Sequence, residues 1–152
     1  MMINHKKRHL IFIYIVLGLI LLQVACKKGD NVAEPPAHVN ITINPNSTMY
    51  QELNTVGGWT YLTATPPSRG IIVYRITQNE FMAYERTPPY EPDQCCSGDT
   101  CTFLLVDFPF VEDTCTNSTY QIIDGSPFNG PTTIPLIRYT TYYDGLTLQI
   151  IS

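Results

Sequence analysis

Along most of the chain, apolar and polar residues alternate at the two-residue period of a half-buried strand, in short runs broken by Gly, Pro, Asn and Asp. Residues 39–43, Val-Asn-Ile-Thr-Ile, are a clear example, and Asn44-Pro45-Asn46-Ser47 ends the run. The pattern predicts further strands at 59–64 after Gly57-Gly58, at 71–76 after Pro66-Pro67-Ser68-Arg69-Gly70, and at 81–86 after Gln78-Asn79-Glu80. Strands at 103–107, 120–124, 136–143 and 146–151 complete the set. Asp144-Gly145 between the last two is a strong hairpin signal, since both residues accept the positive φ of a tight primed turn. Only residues 50–53 read as helical. With twelve prolines, nine glycines and many Tyr, Thr and Ile, the chain suits a small antiparallel all-β domain.

One run does not alternate. Residues 10–22 are continuously apolar, follow Lys6, Lys7 and Arg8, and lead into Gln23-Val24-Ala25-Cys26. That is the order of a bacterial secretory signal with a lipobox, and the run is short for a bilayer span. Cleavage after Ala25 leaves Cys26 to carry the lipid; the alternative is an uncleaved anchor helix. Either places the domain outside the cytoplasm. The expected organisation is a signal peptide at 1–25, a lipidated cysteine and flexible tether at 26–38, and a β domain at 39–152. The lysine pair Lys27-Lys28 after Cys26 is compatible with the outer membrane. The membrane, through the lipid on Cys26, is thus an expected partner.

Loss of residues 1–25 removes three of the nine basic residues and none of the thirteen acidic ones, which leaves a net charge of −7. Arg69, Arg75, Arg86 and Arg138 are scattered rather than clustered, so nucleic acid is not expected as a partner. The mature chain has one histidine, His38, ahead of the first strand. A Ser-His-Asp or Cys-His nucleophile and a His-rich zinc site each need a positioned imidazole, so these classes fall away.

Cys95, Cys96, Cys101 and Cys115 remain beside Cys26, an even number in a compartment where disulfides persist. Bonding the adjacent Cys95 and Cys96 would close a strained ring. That leaves Cys95–Cys115 with Cys96–Cys101, or Cys95–Cys101 with Cys96–Cys115, and spacing does not separate them. In the first, one bridge pins a turn through Ser97-Gly98-Asp99-Thr100. A Cys₄ metal site is the other reading, but such sites space their ligands as Cys-x₂-Cys pairs, and none occurs here.

The stretch 85–139 carries several weak motifs in a recognisable order. A hairpin of 71–76 and 81–86 is followed by Glu85-Arg86-Thr87-Pro88-Pro89-Tyr90, a strand near 103–107, and Asp113-Thr114-Cys115-Thr116-Asn117-Ser118-Thr119-Tyr120. Asp124-Gly125-Ser126-Pro127 and Gly130-Pro131-Thr132-Thr133-Ile134-Pro135-Leu136 come after. The layout resembles the Rieske-type 2Fe-2S family, with a Cys-x-His loop, a Cys-x-x-His-Gly-Ser-x-Phe loop and a closing Gly-Pro-Ala-x-x-Pro-Leu segment. The resemblance covers about 71–151 and implies a small antiparallel Rieske-like β-sandwich or barrel, of the iron-sulfur-protein type, with its two loop tips joined by disulfides. By that resemblance Pro88 and Asp113 stand where the family has ligating cysteines, and Tyr90 and Thr116 where it has ligating histidines. All four depart from the pattern, so this reads as a degenerate member lacking its cluster ligands. The resemblance further implies that Cys115 joins the two loops through a disulfide, because respiratory members join their cluster loops with one; both open pairings satisfy that, and the reading leans to Cys95–Cys115 with Cys96–Cys101. Closing a loop of about twenty residues contributes on the order of 3 kcal/mol. Tyr90 is expected to fill with its ring the space a cluster would take.

No cofactor and no enzymatic activity are expected on this reading, and the role is binding or structural, with an envelope protein or glycan as partner. The alternative is a 2Fe-2S electron carrier with unusual ligands drawn from Cys95, Cys96, Cys101 and Cys115. A further alternative is a carboxylate-dependent envelope hydrolase using residues among Glu85, Asp107, Asp113 and Asp124; against it, such residues commonly cap turns and solvate strand ends.

Overall fold

Ile71-Ile72-Val73-Tyr74-Arg75 has no polar position until its last residue, and Phe81-Met82-Ala83-Tyr84-Glu85 is nearly as apolar. Runs of this kind suit strands covered on both faces. The computed structural model of the chain describes residues 37–152; the predicted signal peptide, Cys26 and the tether as far as Pro36 lie outside the described residues. In chain order the strands are β1 (Asn40–Ile43), β2 (Trp59–Leu62), β3 (Ile71–Arg75), β4 (Phe81–Glu85), β5 (Cys96–Ser97) and β6 (Thr100–Cys101). They continue with β7 (Leu105–Asp107), β8 (Phe110–Asp113), β9 (Ser118–Gln121), β10 (Pro127–Asn129), β11 (Arg138–Tyr143) and β12 (Leu148–Ile151). Among the described residues the one helical stretch is a 3₁₀ segment, Thr48–Asn54, kinked at Tyr50. All pairings are antiparallel, in a six-stranded sheet ordered β1-β12-β11-β4-β3-β2, a four-stranded sheet ordered β10-β9-β8-β7, and the small hairpin β5-β6.

The β3–β4 hairpin is the wall between two cores, and alternate residues serve each. Ile71, Val73, Phe81 and Ala83 join Ile43, Leu53, Leu62, Tyr139, Leu148 and Ile150 in the first. Side chains from all six strands of the large sheet meet there, which requires the sheet to curl. The curl passes through β11, where Arg138 and Tyr139 pair with β4 and Thr140 to Tyr143 pair with β12. On the other side of the wall, Ile72, Tyr74 and Tyr84 pack with Leu104, Val111, Tyr120, Ile122 and Leu136, under the four-stranded sheet. Ile71, Ile72 and Val73 are each 0% exposed, and burial of each contributes about 2 kcal/mol over leaving it in water.

Each end of the hairpin carries a buried charge. At the turn end, Arg75 donates to the carbonyls of Leu53 and Thr77 and to Asn46 Oδ1, with its guanidinium over the Phe81 ring at 4.9 Å. At the other end stands Glu85, which opens the site described below.

The expected all-β antiparallel fold and most of its strands are present, and the order of hairpin, first loop, strand, second loop and closing segment is the order found. Four strands, β5, β6, β8 and β10, are absent from the sequence reading, and one expected strand is shifted. β8 was not expected, because its hairpin with β7 turns through Phe108-Pro109, which holds a cis peptide bond and neither Gly nor Asn. The strand expected at 120–124 begins at Ser118 and ends at Gln121. Ser118 is buried although polar, and Ile122 fills the core from a turn in which Gly125 donates to the Gln121 carbonyl.

Candidate functional site

The candidate site is the tip at which two loops leave the sheets: loop one, 86–104, and loop two, 114–117. Glu85 closes β4 on the face of Phe81 and Ala83 and is 0% exposed. A carboxylate this deep must be satisfied by donors. Its Oε1 accepts from the Arg69 amide at 2.9 Å, the Thr87 amide at 2.8 Å and the Thr87 hydroxyl at 2.7 Å. Its Oε2 accepts from the Ser68 and Tyr139 hydroxyls, both at 2.6 Å. The β2–β3 loop, the start of loop one and β11 therefore meet on one side chain. Burial, together with the bond to Glu85, pushes the Tyr139 phenol well above its ordinary pKa.

Two arginines hold loop one against the wall. Arg69 donates to the carbonyls of Pro92 and Thr102, both at 2.8 Å, and pairs with Asp93 at 3.1 Å. Arg86 lies between two rings, 3.9 Å from the Tyr61 centroid and 4.2 Å from that of Phe103, and donates to the Leu104 carbonyl. Partial burial lowers its pKa.

Loop two is built on Asp113, 1% exposed, whose Oδ1 accepts from the Cys115 amide and whose Oδ2 accepts from the Thr116 hydroxyl at 2.6 Å. The Thr116 and Ser118 hydroxyls lie 2.8 Å apart. Beneath the loop, the Tyr120 hydroxyl is buried beside Ser118 and Thr132 without a hydrogen bond of good geometry to either. Disulfides complete the tip: Cys95–Cys115 ties loop one to loop two, and Cys96–Cys101 staples β5 to β6. Of the two pairings that the spacing left open, the structure has the one the reading leaned to, and in it Cys115 joins the loops.

The positions that would ligate a cluster do not fit one. Pro88 is buried and its side chain has no ligand atom. Both oxygens of Asp113 and the hydroxyl of Thr116 are engaged within loop two, and Tyr90 is half-buried. His38 is the one histidine among the described residues; it precedes β1, with its Nδ1 3.1 Å from Ser152 Oγ. Asp93, Cys96 and Cys101 place ligand atoms within 4.8 Å of one another, but both sulfurs belong to one disulfide and are not thiolates. A Rieske centre needs two thiolates and two imidazoles. No intact ligand set of that kind occurs among the described residues.

The four carboxylates singled out in the sequence behave differently from one another. Asp124 holds its turn by accepting from the Ser126 hydroxyl and amide, which lowers its pKa. Asp107 is exposed at the end of β7. Glu85 neither caps an exposed turn nor solvates a strand end; it is the hub of the tip. Its role was missed because a Glu next to an Arg at the end of a strand reads as surface, and nothing local marks Ser68 and Tyr139 as its partners. Arg69 and Arg86 were likewise read only as scattered charge.

No family model matches the chain, and no curated protein matches it. Among solved structures, a chain from "Complex of reduced oxygenase and oxidized ferredoxin in carbazole 1,9a-dioxygenase" is similar at 15% identity, with 77% of this chain and 94% of that chain covered and a TM-score of 0.46. The fold is defined by this chain's own strand pairing and disulfides.

Proposed function

We propose that this is a lipid-anchored cell-envelope protein whose one β domain is a Rieske-like frame without a cluster, kept for a binding or structural role rather than for electron transfer through a 2Fe-2S centre or for hydrolysis. The observation that carries this reading is the way the two loops are fastened. Every cysteine of the tip is in a disulfide, and the carboxylates nearest the loops spend their oxygens on internal donors. A cluster organises its loops by coordination; here a covalent bridge worth about 3 kcal/mol and a buried hydrogen-bond hub do so. The lipid is inferred from the lipobox at Cys26, and the envelope location follows from it. An envelope protein or glycan is the partner this role implies.

The test is made on the full chain purified from membranes in detergent. Iron and acid-labile sulfide are expected to be absent, and denatured protein is expected to show no free thiol. Stoichiometric iron with colour that bleaches on reduction would overturn the cluster-free reading and establish electron transfer. Labelled fatty acid is expected on the wild type and not on Cys26→Ala; labelling that survives the substitution would remove the anchor from the proposal.

A further inference from the structure

The bridge between β5 and β6 stands in an electrostatic setting that the other bridge lacks. Cys96 and Cys101 face each other across a two-strand hairpin whose turn residues, Ser97 to Thr100, are all exposed. Arg69 Nη2 lies 3.7 Å from Cys96 Sγ. The guanidinium is held there, because Nη1 of the same side chain donates to two carbonyls of loop one. Asp93 Oδ1 is 3.8 Å from the same sulfur and 3.1 Å from Arg69 Nη2. Cys115 Sγ, in the other bridge, has the neutral Gln94 Oε1 at 3.7 Å.

A disulfide is cleaved faster when the departing sulfur leaves as a stabilised thiolate, and a fixed cation beside that sulfur provides the stabilisation. We propose that Cys96–Cys101 is a redox-active site for a dithiol partner, with Cys96 as the leaving sulfur and Arg69 as the group that stabilises it. One thiolate of the partner attacks Cys101 Sγ; the Cys96–Cys101 bond breaks and its electron pair goes to Cys96, opposite Arg69. The partner's second thiol, deprotonated, attacks the mixed disulfide at its own first sulfur and releases Cys101, which takes up a proton. The partner ends as a disulfide, two electrons poorer, and β5–β6 ends as one thiolate and one thiol. Asp93 opposes the reaction by setting a negative charge near the sulfur that gains one. Among the described residues no such cation lies against Cys95–Cys115, which stays closed, so the two loops remain joined while the hairpin opens.

The test uses the full chain in detergent, dithiothreitol at a limiting concentration as the dithiol probe, acid quench, alkylation, and mass analysis of peptides. Cys96 and Cys101 are expected to be labelled at least about tenfold faster than Cys95 and Cys115. Removing a unit charge about 4 Å from the leaving sulfur is expected to shift the rate by about three- to tenfold: faster for Asp93→Asn, slower for Arg69→Gln. Asp93 is 85% exposed, so its substitution leaves the packing intact and keeps the test decisive if the Arg69 variant misfolds. With a monothiol the trapped adduct is expected on Cys101. Equal rates for the two bridges, prior reduction of Cys95–Cys115, an adduct on Cys96, or an unchanged rate in Asp93→Asn would each overturn the proposal.

Discussion

Two tyrosines on opposite faces of the molecule's wall show how much a single hydroxyl depends on its partner. Tyr139 is 1% exposed and donates to Glu85 Oε2, whereas Tyr84 is 0% exposed with a hydroxyl that no group among the described residues satisfies. At pH 7, Tyr139→Phe removes a hydrogen bond to a carboxylate and is expected to cost about 1.5–3 kcal/mol in a urea titration. Tyr84→Phe removes an unbonded polar atom and is expected to stay within about 0.5 kcal/mol of the parent or to gain stability. Burial raises both phenol pKa values, so the folded chain keeps these protons where free tyrosines lose them, near pH 10. Above that pH the unfolded chain binds fewer protons, and stability falls as pH rises, the contribution being intact below it. Tyr84→Phe is expected to flatten that alkaline fall; an unchanged slope between pH 9 and 11 would count against the assignment. At this scale the sequence was legible only in part. The neighbours Tyr142 and Tyr143 face opposite ways, as strand period requires, with Tyr142 66% exposed and Tyr143 against Phe81. The sequence could not show that Glu85 is buried, since the donors that permit its burial come from Ser68, Arg69, Thr87 and Tyr139, distributed over seventy residues of chain.

Elements were easiest to read where turn chemistry and period agreed. Asp144-Gly145 gave the β11–β12 hairpin, with Asp144 accepting from the amides of Leu146 and Thr147. The β7–β8 hairpin escaped because an aromatic-proline pair turns the chain there. The entry to β2 is tighter than its Gly-Gly spelling implies. A Cβ on Gly58 would lie 1.7 Å from the carbonyl oxygen of Glu52, where the 3₁₀ segment presses on the incoming strand, and the Gly58 carbonyl accepts from the Arg75 amide. Gly58→Ala therefore displaces either the 3₁₀ segment or the edge of the sheet, and is expected to cost about 3 kcal/mol or more, read as a lowered urea midpoint with an unchanged slope. A loss below 1 kcal/mol would mean that the backbone there yields.

For the whole molecule, the class, eight of the twelve strands and the presence of crosslinks at the tip were legible in the spacing of Pro, Gly and Cys, together with the order of motifs. What holds the tip was not, because it depends on side chains that meet only after folding. Since β3 and β4 serve both cores, neither core can lose its packing while the other keeps it. Trp59 fluorescence, which reports the margin of the second core, and far-ultraviolet circular dichroism, which reports all strands, are expected to give one coincident urea transition. Two separated midpoints would show that the wall can be shed from one side. The wall also bears on how such a chain can change over time. The residues that build it and the positions at the loop tips, Pro88, Tyr90 and Thr116, are disjoint sets. A lineage can therefore rewrite the chemistry of the tips without asking the interior to be redesigned, and the architecture can outlast any one use made of it.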